Sequence, residues 1–218
     1  MYLLSSSLYI LAIEIVNECP HFLHVGHQTN GEDRGSIIPL EIGETFQLPI
    51  ETGWAGRIWA RESCDLHSCD TAGASNPASL AEFKMNGAHD MDYYDVSFVD
   101  GYNLPIRIEP DMPEEEAAWD DPKYCRSLLC MNLPDCPADL RSYDLSGRFV
   151  ACESACSRYQ ADEYCCTGEY NSPDVCTTNH FATAIKSACP DTYSYAYDDE
   201  TSLFGCKTKT YKVIFCPH

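Results

Sequence analysis

The sequence predicts a mainly β protein: a β-sandwich core carrying a disulfide-rich lobe of loops and short helices. Three observations lead there. Short β-like runs punctuated by Gly, Asn and Pro occupy both ends of the chain, the cysteines are many and even in number, and they crowd into one internal stretch where the β pattern fades.

The 218 residues suffice for a self-supporting core, so disulfides supplement it rather than rescue it. Fourteen cysteines far exceed cytosolic usage, and an even count fits full pairing in an oxidising, extracellular compartment. Zinc is the weaker alternative, because no pair of CxxC knuckles occurs and "CDLHSC" (Cys64 to Cys69) is the nearest approach to a cluster. No metal or cofactor is expected. Lys and Arg number 14 against 34 Asp and Glu, a net charge of −20, which repels phosphate backbones and anionic lipid; nucleic acid is excluded as a partner. The run "EPDMPEEEAAWDDP" (Glu109 to Pro122) reads as a solvated loop. Residues 1–12 form a short apolar opening that ends on Ala12 as a secretory signal does, although without a basic start. No later run approaches a membrane span, so an unanchored, monomeric chain is expected.

In order, "IEIVNE", "SIIPLEI", "ETFQLPI" and "GRIWA" predict strands between Ile13 and Ala60, followed by "LAEFKMN", "YYDVSFVDGYNLPIRI" and, at the far end, "KTYKVIFC". Residues 13–124 and 190–218 therefore make the sandwich. Residues 125–189 make the second lobe, with nine of the fourteen cysteines. There "DLRSYD" onward or "SACSRYQADEYCC" gives the best helical stretch, and "NHFATAIKSAC" a second short helix. The adjacent Cys165 and Cys166 should leave in different bridges, because a bond between neighbours is strained. "HFLHVGH" spaces His21, His24 and His27 by three, but Pro20 and the β context oppose the helix that would align them; exposed loop histidines are expected.

The blocks "EIVNECP", "GRIWAR", "LAEF", "YDVSFVDGYNLP", "EYCCTGEY", "CPDTYSYAYDDETSLFGC" and "YKVIFCPH" together resemble thaumatin-like proteins, in order and spacing, from Ile13 to His218. The resemblance implies seven disulfides: Cys19 with Cys216, Cys64 with Cys69, Cys125 with Cys206, Cys130 with Cys189, Cys136 with Cys152, Cys156 with Cys165, and Cys166 with Cys176. The chain departs from the family between Cys64 and Leu80, where it is shorter and lacks one bridge, so the small third domain near 62–80 is reduced to a tight loop.

The resemblance also implies an acidic cleft built from Arg57, Glu82, Asp95, Asp100 and Asp191. Strict alternation sends Asp95 and Asp100 to opposite faces, but Gly101 permits a turn that reunites them. Glycoside cleavage needs one protonated carboxyl and one ionised carboxylate, and crowding separates such pKa values. Glu82 is the candidate acid, Asp100 the base or nucleophile, and Arg57 the group that orients the remaining carboxylates. Tyr93, Tyr94, Tyr102 and Tyr193 are candidates to stack on sugar rings, Tyr94 and Tyr102 foremost, with packing in the sandwich the competing role for each. The function implied is secreted defence through binding β-1,3-glucan or a related cell-wall polysaccharide, with weak endo-hydrolysis as an extension. A noncatalytic enzyme inhibitor or receptor-type module is the alternative.

Overall fold

The computed structural model describes residues 11–64, 68–112 and 121–218. The apolar opening through residue 10, most of the acidic run after Glu109 and the middle of the Cys64–Cys69 loop lie outside the described residues. In chain order the strands are β1 (Ala12–Asn17), β2 (Leu23–Thr29), β3 (Ser36–Leu40), β4 (Thr45–Pro49), β5 (Ala55–Arg61), β6 (Leu80–Lys84) and β7 (Asp92–Ser97). They continue as β8 (Ile106–Pro110), β9 (Leu128–Cys130), β10 (Arg141–Tyr143), β11 (Phe149–Cys152), β12 (Phe204–Cys206) and β13 (Thr210–Phe215).

Two sheets carry the fold, one ordered β4-β1-β13-β8-β9 and the other β12-β7-β6-β5-β2-β3. Alternation fixes which side chains they bury. Ile13 and Ile15 of β1 and Val213 and Phe215 of β13 meet Val25, Ile58, Phe83, Tyr94 and Val96 of the facing sheet in one continuous core. Phe83, Tyr94 and Tyr211 form its aromatic centre, with ring centroids 5.2–6.4 Å apart. The chain ends lie side by side, since β1 pairs in parallel with β13 and Cys19 bonds Cys216. The other bridges are Cys64–Cys69, Cys125–Cys206, Cys130–Cys189, Cys136–Cys152, Cys156–Cys165 and Cys166–Cys176, the pairing that the resemblance implies.

Within the disulfide-rich stretch, helices α1 (Ala155–Tyr159), α2 (Asp162–Cys165) and α3 (His180–Ala188) fall in the two later segments read as helical, and α4 (Asp199–Ser202) follows them. Asn179 caps α3 by accepting from the amides of Phe181 and Ala182. "DLRSYD" is not helical. Ala138–Leu140 makes a single tight turn and Arg141–Tyr143 pairs with β11, because Cys136–Cys152 holds the two segments together and Ser142 alternates inward between exposed neighbours. The histidines also need correction: His24 and His27 sit on β2, not in a loop, and residues three apart on a strand face opposite ways. His24 does approach Cys64 and Cys69, but both sulfurs are committed to their disulfide.

The shortened segment after Cys64 folds over the outer face of β5. Trp59, fully buried, packs with Ala72, Ala78 and Leu80 and donates its indole N–H to the Cys69 carbonyl at 3.0 Å. Opposite it on β2 stands Gly26, where any Cβ would lie 2.2 Å from the indole ring. Asn76 ties the segment together through the carbonyls of Ser68 and Thr71.

Candidate functional site: an acidic groove on the six-stranded sheet

The site follows from register. Across β2, β5, β6 and β7 the residues Gln28, Arg57, Glu82 and Asp95 stand directly opposite one another, which sets their side chains in one row on the face away from the core. Beyond Ser97 the strand gives way to a turn. The Gly101 amide bonds the Phe98 carbonyl at 2.9 Å, and Gly101 takes φ +102° with the Cys152 carbonyl so close that a Cβ there would lie 2.3 Å from its oxygen. That turn returns Asp100 to the row, where its carboxylate lies 4.0 Å from the Arg57 guanidinium. Arg57 also donates to the Ala72 carbonyl at 3.3 Å, so the reduced loop braces it.

The carboxylates hold their protons unusually well. Burial raises Glu82 above the ordinary carboxylate range; Arg57 opposes this, Asp100 adds to it, and a hydrogen bond with Ser97 opposes it further. Burial raises Asp100 too, against the pull of Arg57. Asp95 is raised the most, by burial first and then by Glu82 and Asp199, and no cation offsets it. One of its oxygens is buried without a hydrogen-bond partner. Glu82 and Asp100 thus share the moderating pull of Arg57, which does not reach Asp95.

Three residue assignments change. The row contains Arg57, Glu82, Asp95 and Asp100, but Asp191 is taken by Arg126 at 3.0 Å, and it is not among the charges acting on the other three acids. The further acid at Asp95 is Asp199 at the start of α4, which accepts a hydrogen bond from the Tyr193 hydroxyl. Its sequence signal is faint: an acid pair, Asp198-Asp199, six residues after a tyrosine. Tyr94 and Tyr102 do not face the groove. Tyr94 is fully buried and donates to the Arg126 carbonyl at 2.6 Å, while Tyr102 is nearly as buried and donates to the Pro134 carbonyl at 3.1 Å. The tyrosine that does face it is Tyr93, which shares strand parity with Asp95 and lines an open depression with Glu82, Asp95, Lys84, Asn30 and Leu203.

Comparison with known proteins adds a family and a fold. A model of the thaumatin family matches residues 17–217. Pathogenesis-related protein 5 of Arabidopsis thaliana is 35% identical over 98% of this chain and 94% of its own. A pathogenesis-related thaumatin-like protein 3.5 of Cryptomeria japonica is 36% identical over 93% of this chain and 88% of its own, and a protein of Prunus avium named glucan endo-1,3-beta-glucosidase is 34% identical over 94% and 90%. Among solved structures, a laminaripentaose-producing beta-1,3-glucanase in complex with laminaritetraose superposes with a TM-score of 0.65 at 10% identity, covering 95% of this chain and 99% of that one. At that identity the likeness is one of fold.

Proposed function

This chain belongs to the thaumatin family, and from that premise we propose that it is a secreted, monomeric defence protein that binds β-1,3-glucan in the acidic groove. The observation that carries the reading is the in-register row of Arg57, Glu82 and Asp95 with Asp100 folded back onto Arg57. Such a row offers a sugar chain what it needs: carboxyl groups that accept from hydroxyls, or donate to them where burial keeps the proton, and a guanidinium that donates. Tyr93 supplies an apolar ring at the edge of the depression. A relative named as a glucan endo-1,3-beta-glucosidase, and a fold shared with a glucanase whose complex contains laminaritetraose, support the choice of polymer. Seven disulfides support an oxidising compartment.

A second reading, slow endo-hydrolysis of the bound chain, is favoured by the two carboxyls set around one guanidinium. Glu82 stands opposite Arg57 in register and the Asp100 carboxylate lies 4.0 Å from it, and glycoside cleavage needs such a pair, one as acid and the other as base or nucleophile.

Sedimentation with insoluble β-1,3-glucan, cellulose and chitin tests binding: retention on the first alone is expected, and equal retention on all three refutes the assignment. Reducing-end release from laminarin tests cleavage. Glu82→Gln and Asp100→Asn should each lower it on the order of 10²-fold while retention changes little. Release that survives both substitutions is not this protein's activity.

A further inference from the structure

A second cavity lies apart from the groove. It occupies about 190 Å³ between the end of β5, the segment 103–104 and the β10–β11 hairpin, and it shares no lining residue with the groove. Arg61, only 4% exposed, lines it. The Arg61 guanidinium donates to the carbonyls of Pro77 and Asn76, each at 2.7 Å, yet its Nε–H is buried without an acceptor. A buried donor left unmet is a standing cost that a ligand or water acceptor removes.

The walls define what that ligand is. Arg148 bonds Glu62 at 2.7 Å and Asp144 at 3.2 Å, and Asp144 also accepts from Ser146 and from the Arg148 amide, so these planar groups are held in place. Two cations, Arg61 and Arg148, balance two carboxylates, Glu62 and Asp144, inside a chain of net charge −20; an anion gains nothing there. The remaining wall is apolar, formed by Leu104, Val150 and the ring of Phe149, which is 43% exposed. An aliphatic ligand would leave Arg61 Nε–H unmet. A flat ring with a C–H face and a hydroxyl rim satisfies both walls, and the cavity, below the 300–1,000 Å³ typical of drug-sized pockets, has room for about one such ring.

We propose that this cavity is a second carbohydrate site, taking a single neutral pyranose unit with its C–H face on Phe149 and its hydroxyls among Arg61, Glu62, Asp144 and Arg148. It uses none of the groove residues and stands whether or not the groove binds glucan.

The test is an NMR titration of the fully oxidised, ¹⁵N-labelled protein with methyl β-glucopyranoside, methyl β-galactopyranoside and N-acetylglucosamine, each up to about 100 mM, the range in which single-ring affinities fall. At least one sugar should shift the Arg61 Nε–H resonance and the amides of Glu62, Ser63 and Phe149 in a saturable manner, leaving the amides of Glu82 and Asp95 in place. Phe149→Ala should weaken that sugar about tenfold, and Phe149→Trp, which keeps a stacking surface, should retain it. Unreduced peptide mapping verifies that both variants keep the seven disulfides. The proposal is overturned if no sugar shifts these signals, if Phe149→Ala binds as well as the parent, if the shifts appear at the groove instead, or if acetate or sulfate moves the Arg61 signal where the sugars do not.

Discussion

Replacing Asp95 by Asn should make the protein more stable at neutral pH and leave it unchanged in acid. Asp95 stands opposite Glu82 in the sheet, has a buried oxygen with no partner, and holds its proton well above the ordinary carboxylate range because of burial, Glu82 and Asp199 in turn. A carboxyl whose folded pKa is raised contributes its full stability below the unfolded value, about 4, and loses it as pH climbs from there through the folded value. The parent therefore weakens across that window. Asparagine keeps the shape and never ionises, so it escapes that pH-dependent loss. Each pH unit between the unfolded value and the raised folded one adds about 1.4 kcal/mol to the difference. For a chain of this length each kcal/mol moves the midpoint by about 2–4 °C. The assay is thermal unfolding without reductant at pH 3, 5 and 7, parent and variant at one scan rate. A rise at pH 7 that vanishes at pH 3 is expected; no rise at pH 7, or an equal rise at pH 3, refutes the argument.

Three further outcomes follow from the same geometry. Tyr93→Ala should reduce glucan retention with little change in unfolding midpoint, whereas Tyr94→Ala should cost about 3–5 kcal/mol of stability through the aromatic core; the reverse pattern would mean the strand parity is misassigned. Trp59→Ala should cost a similar amount and open the segment 68–78 to proteases, measured by limited digestion, because the indole is what that segment packs on; unchanged resistance would contradict this. Stepwise reduction followed by mass mapping should open Cys64–Cys69, with its exposed Cys64, early and Cys19–Cys216 late, and in the chain-entropy picture loss of the latter, a loop of separation 197, costs about 5 kcal/mol against about 3 for Cys136–Cys152. Early release of Cys19 would be inconsistent with its complete burial.

The strands were legible because alternation is a local signal: Ile13 and Ile15, or Tyr211, Val213 and Phe215, announce their own faces. Failures came where a local pattern is ambiguous. Leu140 and Tyr143, three apart, imitate a helical face, and only the pairing of β10 with β11 resolves them as a strand. Period also held information that the resemblance obscured, since Tyr93 and Asp95 share parity while Tyr94 goes with Val96 into the core. The carboxylate row itself is a long-range property. Nothing near Arg57 indicates that Glu82 will face it, or near Glu82 that Asp95 will; those residues were identified through resemblance, and the register explains why they meet. Asp199 was missed for the same reason, being brought to Asp95 by the return of the chain along β12.

That row is also where local stability and the rest of the fold disagree. Like charges directly opposite on neighbouring strands destabilise a sheet, and an apolar pair at the positions of Glu82 and Asp95 would pack at no such cost. The sequence nevertheless sets two acids there, a third on Arg57 through a glycine turn, and a fourth beyond Asp95. Arg57 cannot neutralise them all, and on its other side it meets the neutral Gln28. Such a concentration persists only where the surrounding structure over-determines it. Here the row lies on the central strands of a six-stranded sheet whose core is shared with a second sheet, with a disulfide tying β1 to the end of β13 and a buried tryptophan pinning the loop that braces Arg57. Rigidity of that kind is what a polar binding surface requires, since donors and acceptors fixed in advance spend less of the binding free energy on their own ordering. The strain in the row and the stiffness beneath it are both what the proposed groove for a polyhydroxyl chain requires.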